Sequence, residues 1–226
     1  MGFALVTGPF FVLLLGPRHG VILVNLCGVL TAALVLLRVR RDIEWKTYLW
    51  LAIPAVIGIM PGAILATRLD AHWLEFAVGT IMLLALLLAM LARRVRTTVS
   101  GPIPRAAAGF VSGVASAAAG TSGPPISVYA VMSRWPQRSF AATMQPYFLT
   151  TGLGSVIGKL AWEPELRPDY PWWAWALILL GLVAGTSLGD RLARFLRAEH
   201  ARAAMLALAA IGSLAVAVHG LSQLVG

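Results

Sequence analysis

The stretch Gly120-Thr121-Ser122-Gly123-Pro124-Pro125 interrupts an otherwise apolar segment that runs from residue 106 to residue 133. Two glycines and two prolines within six residues cannot continue an α-helix, because glycine is too free and proline lacks an N–H. Inside a bilayer, such a break leaves backbone groups unpaired unless protein, water or a polar solute satisfies them. The break is therefore a candidate solute site if this segment lies in a membrane.

The composition predicts a membrane protein. Of the 226 residues, 59% are hydrophobic and 12% are charged, whereas soluble domains carry about 25% charged residues. Several apolar stretches approach the roughly 20 residues that a helix needs to cross about 30 Å of hydrocarbon. The predicted spans are residues 20–37, 47–67, 74–92, 141–160, 172–190 and 203–224, and residues 106–133 form the broken segment.

Residues 2–15 form a shorter apolar piece at the amino terminus. They lack the positively charged start and the small-residue cleavage site of a signal peptide. We therefore interpret them as half of a structural element, and the true start of the protein could lie upstream of Met1. The only cysteine, Cys27, lies within a span, which excludes an internal disulfide and indicates a small buried apolar residue.

The positive charge of the chain is explained by its loops. A net charge of +9 would suggest nucleic-acid binding in a soluble protein. Here most of the Lys and Arg residues lie in short loops between predicted spans, so no nucleic-acid partner is expected. These basic loops are residues 38–46, 93–105, 134–140 and 191–202, whereas the loop at 161–171 is mostly acidic.

The loop charges predict how the broken segment lies in the membrane. Basic loops prefer the cytoplasm. If every apolar segment crossed once, loops 93–105 and 134–140 would face opposite sides. If segment 106–133 enters and returns on the same side, all four basic loops are cytoplasmic and loop 161–171 is external. We therefore predict a re-entrant hairpin that turns at the break, in an inner (cytoplasmic) membrane. A broken helix that crosses fully is the alternative.

The two halves of the chain share a pattern of glycines and prolines. The matching pairs are Gly8-Pro9 with Gly123-Pro124, Pro17 with Pro136, and Gly58/Gly62 with Gly185/Gly189. Each half then contains one broken hairpin and three transmembrane helices, and the odd number of crossings inverts one half relative to the other. We predict an all-α polytopic membrane protein with two inverted repeats, residues 1–97 and 98–226. This plan recurs in secondary transporters, whose solute site lies between the repeats.

Several motifs together carry a family resemblance. The second half contains Gly109-Phe110-Val111-Ser112-Gly113, then the break itself, then Pro136, Arg138 and Ala141-Ala142-Thr143; the first half contains Gly8-Pro9, Leu15-Gly16-Pro17 and Gly58/Gly62. This set resembles the TauE/SafE sulfite exporter family over nearly the whole chain. The resemblance implies a carrier, not an enzyme, that moves sulfite, sulfonates or related anions across the cytoplasmic membrane.

The chemistry of the break suits an anion. A half-helix that begins after it offers free backbone N–H groups and the positive end of its dipole, and glycines allow a bulky oxyanion to approach the backbone. Capping of the broken helix and hydrogen bonds between helices are the alternative roles for these polar groups. The predicted substrate-binding residues are Thr121, Ser122, Gly123 and Pro124, their pseudo-symmetric partners Thr7, Gly8 and Pro9, and the span residues Asn25, Thr143 and Gln145.

Few ionisable residues lie within the spans. Lys159 lies near the external end of its span, and we expect its side chain to snorkel to the interface rather than to attract anions. His219 is interpreted as a hydrogen-bonded packing residue. No carboxylate lies deep in a span, so the usual proton-relay pattern is missing. The sequence predicts no catalytic residue, metal or cofactor.

Two other functions compete with a transporter. Gly120-Thr121-Ser122-Gly123 matches the Gly-x-Ser-Gly of rhomboid intramembrane proteases, and His219 lies on a later span. We expect Pro124 and Pro125 to prevent the helix that should follow such a serine, which argues against a protease. A gated anion channel is the closer alternative, because short polar breaks also build pores. The predicted partners are a small anion and membrane lipid, and homo-oligomers are compatible with the sequence.

Overall fold

The computed structural model describes residues 2–91, 99–192 and 198–225. Over these residues the fold is entirely helical, without a strand, as predicted. Single turns of 3₁₀-helix at Arg40–Asp42 and Pro164–Leu166 join longer helices. The α-helices are α1 (Gly2–Val39), α2 (Trp45–Arg68), α3 (Ala71–Leu91), α4 (Pro102–Ala119), α5 (Gly123–Met132), α6 (Gln137–Trp162), α7 (Trp172–Leu192) and α8 (Ala198–Val225).

The outer surface of the helices suits hydrocarbon. Within the described residues, three stretches are long and apolar enough to cross a membrane: Val6–Asp42, Trp45–Arg68 and Leu206–Gln223. Large apolar side chains are exposed on most helices, and Trp172 is 82% exposed. Surface of this kind is stable against lipid and unstable against water, so the chain is a multi-pass membrane protein.

Helix α1 consists of two arms that fold back on each other at Gly16. Gly16 has φ +77° and ψ 166°, a conformation that favours glycine, and Pro17 starts the second arm with a preset φ. A Cβ added at Gly20 would lie 2.5 Å from the carbonyl oxygen of Phe11, although nine residues of straight helix span about 13 Å. Residues 2–15 are therefore the first arm of a helical hairpin.

The break predicted at Gly8-Pro9 is wrong, because the first arm of α1 is helical through both residues. A proline inside a helix removes one hydrogen bond and introduces a kink, and its φ of about −65° is itself helical. Gly16 differs because its backbone leaves the helical region before a proline follows. The discontinuity of the first half therefore falls at Gly16-Pro17.

Helices α4 and α5 form a second hairpin. Helix α4 ends at Gly120, whose φ is +69°, and the N–H of Thr121 donates to the carbonyl of Ala115 at 3.3 Å. At the other end, the N–H of Val99 donates to the carbonyl of Met132 at 3.0 Å. The segment therefore turns at the predicted break and returns to the end of the molecule where it started.

Loops of like charge gather at the same end of the molecule. Residues 39–46, 99–105 and 133–138 form what we call the basic end. There the indole N–H of Trp135 donates to Glu44 at 3.0 Å, and Arg138 pairs with Asp42 at 3.0 Å. Residues 193–197 of loop 191–202 lie outside the described residues.

Residues 16–18, 67–70 and 160–166 form the opposite, acidic end. Arg18 pairs there with Glu163 at 3.4 Å and donates to the carbonyl of Thr67 at 3.2 Å. Loop 161–171, which carries three of the nine acidic residues of the chain, is therefore separated from the described parts of the basic loops 38–46, 93–105 and 134–140.

Glycine pairs bring α2 and α4 into backbone contact. A Cβ added at Gly62 would lie 2.6 Å from the carbonyl oxygen of Val114, and one added at Gly113 would collide with the carbonyl of Ala55. The two helices therefore pack in parallel with no side chain between them, which is what small residues permit in membranes. By contrast, Gly181 of α7 has no atom within 4 Å of an added Cβ.

Candidate functional site

A cavity of about 170 Å³ lies where the α4–α5 break meets α1 and α6. The break contributes Gly120 to Gly123, α1 contributes Asn25, Gly28 and Thr31, and α6 contributes Gln145. The space is large enough for several water molecules or one small solute. Its described lining is uncharged and combines apolar side chains with a few polar groups, so recognition of a polar solute there depends on hydrogen bonds and helix dipoles.

Two hydrogen-bond acceptors near the break already have donors. The carbonyl of Ser116 accepts from the N–H of Gly120 at 3.0 Å and from the side-chain amide of Asn25 at 3.2 Å. The carbonyl of Ser122 accepts from the hydroxyl of Ser112. These contacts fix the end of α4 and the start of α5 to their neighbours.

The backbone N–H donors at the start of α5 have no partners within that helix. The first N–H groups of a helix have no partner within it. Pro124 and Pro125 carry no N–H, so the start of α5 offers the amides of Ser122 and Gly123. The Ser122 hydroxyl lies 3.2 Å from that of Thr151, which also has the carbonyl of Tyr147 as an acceptor at 3.0 Å. Together with the positive end of the α5 dipole, these donors favour a negatively charged solute.

The two amide side chains predicted to face a cavity do so. Asn25 lines it while donating to α4, so its cavity role and its role between helices coexist. Gln145 also lines the cavity, and its amide donates to the carbonyl of Ala141 in its own helix at 2.9 Å. Binding of a solute by either residue stays a prediction.

The remaining predicted residues lie away from the cavity wall. Pro124 is buried in the first turn of α5. The hydroxyl of Thr143 accepts from the N–H of Glu44 at 3.0 Å near the basic end.

The predicted partners of the break in the first half also lie elsewhere. A Cβ added at Gly8 would lie 2.6 Å from Met82, and Pro9 packs against Gly212 of α8. Thr7 is half-buried beside them. Ala4, one turn earlier than Gly8, lines the cavity instead.

The expectation that Lys159 snorkels to the interface is wrong. Its side chain is 1% exposed, and its Nζ has no hydrogen-bond partner. Burying an ammonium ion without a partner costs several kcal/mol, so an unpaired buried lysine requires a reason. Sequence analysis also missed Thr151 and Ser155, which precede Lys159 on the same face of α6. The signal was present, because polar residues recur at every fourth position from residue 151 to residue 163.

The structure argues against the protease alternative, although one of the sequence-based arguments against it is wrong. His219 pairs with Glu75 at 3.0 Å, in agreement with its interpretation as a hydrogen-bonded packing residue, whereas Ser122 bonds to Thr151. The two members of a catalytic pair therefore have other partners. However, Pro124 and Pro125 do not prevent the helix after Ser122, because prolines fit its first turn.

A model of the family described as sulfite exporter TauE/SafE matches residues 1–216 of the chain. The match therefore covers all but the last ten residues of the 226. No curated protein and no solved structure matches the chain.

Proposed function

Because the chain belongs to the sulfite exporter TauE/SafE family, we propose that it is a secondary transporter that moves sulfite or an organosulfonate across the cytoplasmic membrane by alternating access. The family suggests transport of a small sulfur anion. The observation that best supports transport of sulfite or an organosulfonate is the break at residues 120–123, which brings hydrogen-bond donors to a cavity in an apolar helical protein.

The arrangement of the two hairpins supports a site between two inverted repeats, residues 1–97 and 98–226. Helix α5 begins at the cavity and ends at the basic end. The first arm of α1 has Ala4 at the cavity and ends at Gly16, beside the acidic end. Two helical arms therefore start at the cavity and run to opposite ends, as in carriers whose discontinuous helices meet at the solute. We place the basic end in the cytoplasm.

The proposal is tested by flux of labelled sulfite into liposomes that contain the purified protein. Thr121→Ala combined with Ser122→Ala removes two hydroxyl donors from the cavity. A hydrogen bond to a charged group contributes about 1.5–3 kcal/mol, so we expect the apparent affinity to fall by about tenfold or more. Ser133→Ala, after the end of α5, is the matched control and should transport normally.

Unchanged flux in the double variant would exclude a substrate role for the two hydroxyls. A thermal-shift and flux screen against sulfite, thiosulfate, taurine, sulfoacetate, sulfate and chloride identifies the solute. If none of these anions is carried or stabilises the protein, the proposed function is wrong.

A gated anion channel is the second candidate, since it would use the same donors. Counter-flow separates the two. A carrier moves labelled anion faster when unlabelled anion is present on the other side, because its loaded form reorients. A channel passes ohmic current without this acceleration.

A further inference from the structure

Buried polar side chains form a continuous ladder along one face of α6. The hydroxyl of Thr151 lies 3.2 Å from that of the cavity residue Ser122. One turn later, the hydroxyl of Ser155 lies 2.6 Å from the carbonyl oxygen of Thr151 and 2.9 Å from the hydroxyl of Ser116 of α4. All four side chains are at most 9% exposed. Residues four apart on a helix lie on the same face, so the next position of the ladder is Lys159.

Lys159 differs from the other members of the ladder, because it can carry a charge. Its Nζ is buried without a hydrogen-bond partner in this conformation. The buried apolar cluster of Ile22, Val156 and Leu166 lies beside this part of α6. An ammonium ion is poorly accommodated in such surroundings, whereas a neutral amine is tolerated. The residue is therefore placed where a change of its protonation would alter the stability of this conformation.

The charged groups near Lys159 come from the turn of the α1 hairpin and from the end of α6. Glu163 follows one turn later, and its N–H donates to the carbonyl of Lys159 at 2.9 Å. Arg18 of α1 pairs with Glu163 at 3.4 Å. The Nε of Arg18 is also buried without a partner. The row of polar residues on this face of α6 therefore runs from the cavity to an ion-paired cluster at the acidic end, and the amine of Lys159 lies between the two without a hydrogen bond to either.

From this ladder we propose that Lys159 binds and releases the proton that is co-transported with the anion. The amine of Lys159 takes one proton from water when its end of the protein is open, and the ammonium returns the same proton to water on the other side. One monoanion and one proton then cross together without net charge. Loading is cooperative, because the bound anion stabilises the ammonium and the ammonium stabilises the bound anion. This inference rests on the proposed transport function.

The test uses the purified full chain in liposomes, with labelled methanesulfonate and a pH indicator in the lumen. Methanesulfonate stays ionised near neutral pH and carries no proton itself. With a more acidic exterior, we expect the wild-type protein to accumulate the anion by about tenfold for each unit of pH gradient, since one pH unit is worth 1.4 kcal/mol. The lumen should acidify as the anion arrives.

Lys159→Met and Lys159→Arg should both abolish this pH-driven accumulation. Both variants should retain exchange of labelled for unlabelled methanesulfonate at equal pH, with a weaker apparent affinity in Lys159→Met, because exchange requires a folded carrier but no net proton movement. Lys46→Met, which removes an exposed lysine at the basic end, is the control for loss of charge and should behave as the wild type. Arginine keeps the positive charge but does not release its proton. pH-driven accumulation that persists in either Lys159 variant would overturn the proposal. If it persists in Lys159→Arg but not in Lys159→Met, the role of Lys159 is purely electrostatic.

A second variant tests the proposal if the Lys159 variants do not fold. Glu163→Gln removes the carboxylate beside Lys159 and leaves Arg18 unpaired, so protonation of Lys159 becomes harder. The pH profile of net methanesulfonate flux should shift to lower pH, and an unchanged profile would contradict the proposal.

Wild-type exchange without any lumenal acidification would overturn proton coupling while leaving transport intact. If sulfite, thiosulfate and methanesulfonate all fail to exchange, the proposed function itself is wrong.

Discussion

Gly28 is the residue at which the cavity is most easily filled. It lines the cavity from α1, and no atom lies within 4 Å of a Cβ added there. Gly28→Leu should therefore fit without disturbing its neighbours and should occupy the space of the solute. We expect sulfite flux in proteoliposomes to fall by at least about tenfold. Thermal stability should hold or rise, because leucine is favoured over glycine in a helix by up to about 1 kcal/mol.

Gly181→Leu is the matched control for this substitution. Gly181 also lies within a helix with no atom within 4 Å of an added Cβ, but it lies in α7, most of whose described side chains are exposed. The control should transport normally. Equal flux in both variants would mean that the cavity is not on the path of the solute.

At the residue scale, the sequence predicts the polar residues that line the cavity better than it predicts the small residues that leave room for it. Asn25 and Gln145 were expected at a cavity because amides are rare in apolar spans. Gly28 was not, since a glycine in a membrane helix more often indicates close packing. Lys159 was assigned to the interface because a flexible side chain near the end of a span can reach water. Which neighbours enclose it is decided by tertiary packing, which its position in the sequence does not reveal.

At the scale of elements, the position of α4 depends on glycines. Gly113 faces the carbonyl of Ala55, and a Cβ there would overlap with that backbone. Gly113→Ala should therefore force α2 and α4 apart and lower the free energy of unfolding by about 1–3 kcal/mol. Thermal unfolding in detergent measures the effect. Gly181→Ala is the control and should raise stability slightly. If the two alanine variants melt alike, the contact between α2 and α4 does not stabilise the protein.

The two helical hairpins show which breaks the sequence can predict. The break at residues 120–125 concentrates glycine and proline in six residues, and the helix stops there. At Gly8-Pro9 the same two residue types occur once each, and the helix continues. The difference is local backbone conformation: Gly120 and Gly16 both adopt positive φ, whereas a proline alone has a helical φ. A single glycine-proline pair therefore does not decide from sequence whether a helix breaks, since the helix continues at Gly8-Pro9 and is interrupted at Gly16-Pro17.

At the scale of the whole molecule, the charges of the loops predict which loops lie together. Loop 38–46 contacts loop 134–140 at the basic end, Val99 of loop 93–105 bonds to Met132 nearby, and Glu163 lies at the opposite end with Arg18. This separation is required by the hairpin of α4 and α5, because a single crossing would put loops 93–105 and 134–140 at opposite ends. The side of the membrane that each end faces is a prediction from the positive-inside rule.

Cysteine labelling tests that orientation. Cys27→Ala provides the background, and because Cys27 is 2% exposed and small, its replacement should be tolerated. Arg134→Cys places a thiol at the basic end, and Glu165→Cys places one at the acidic end; both positions are exposed. In intact cells, a membrane-impermeant maleimide should label residue 165 and not residue 134, whereas both should react after the membrane is opened. Labelling of residue 134 alone in intact cells would show that the basic end faces the outside, opposite to the predicted orientation. Labelling of both would contradict the separation of the two ends, and with it the same-side return of the hairpin that forms the cavity.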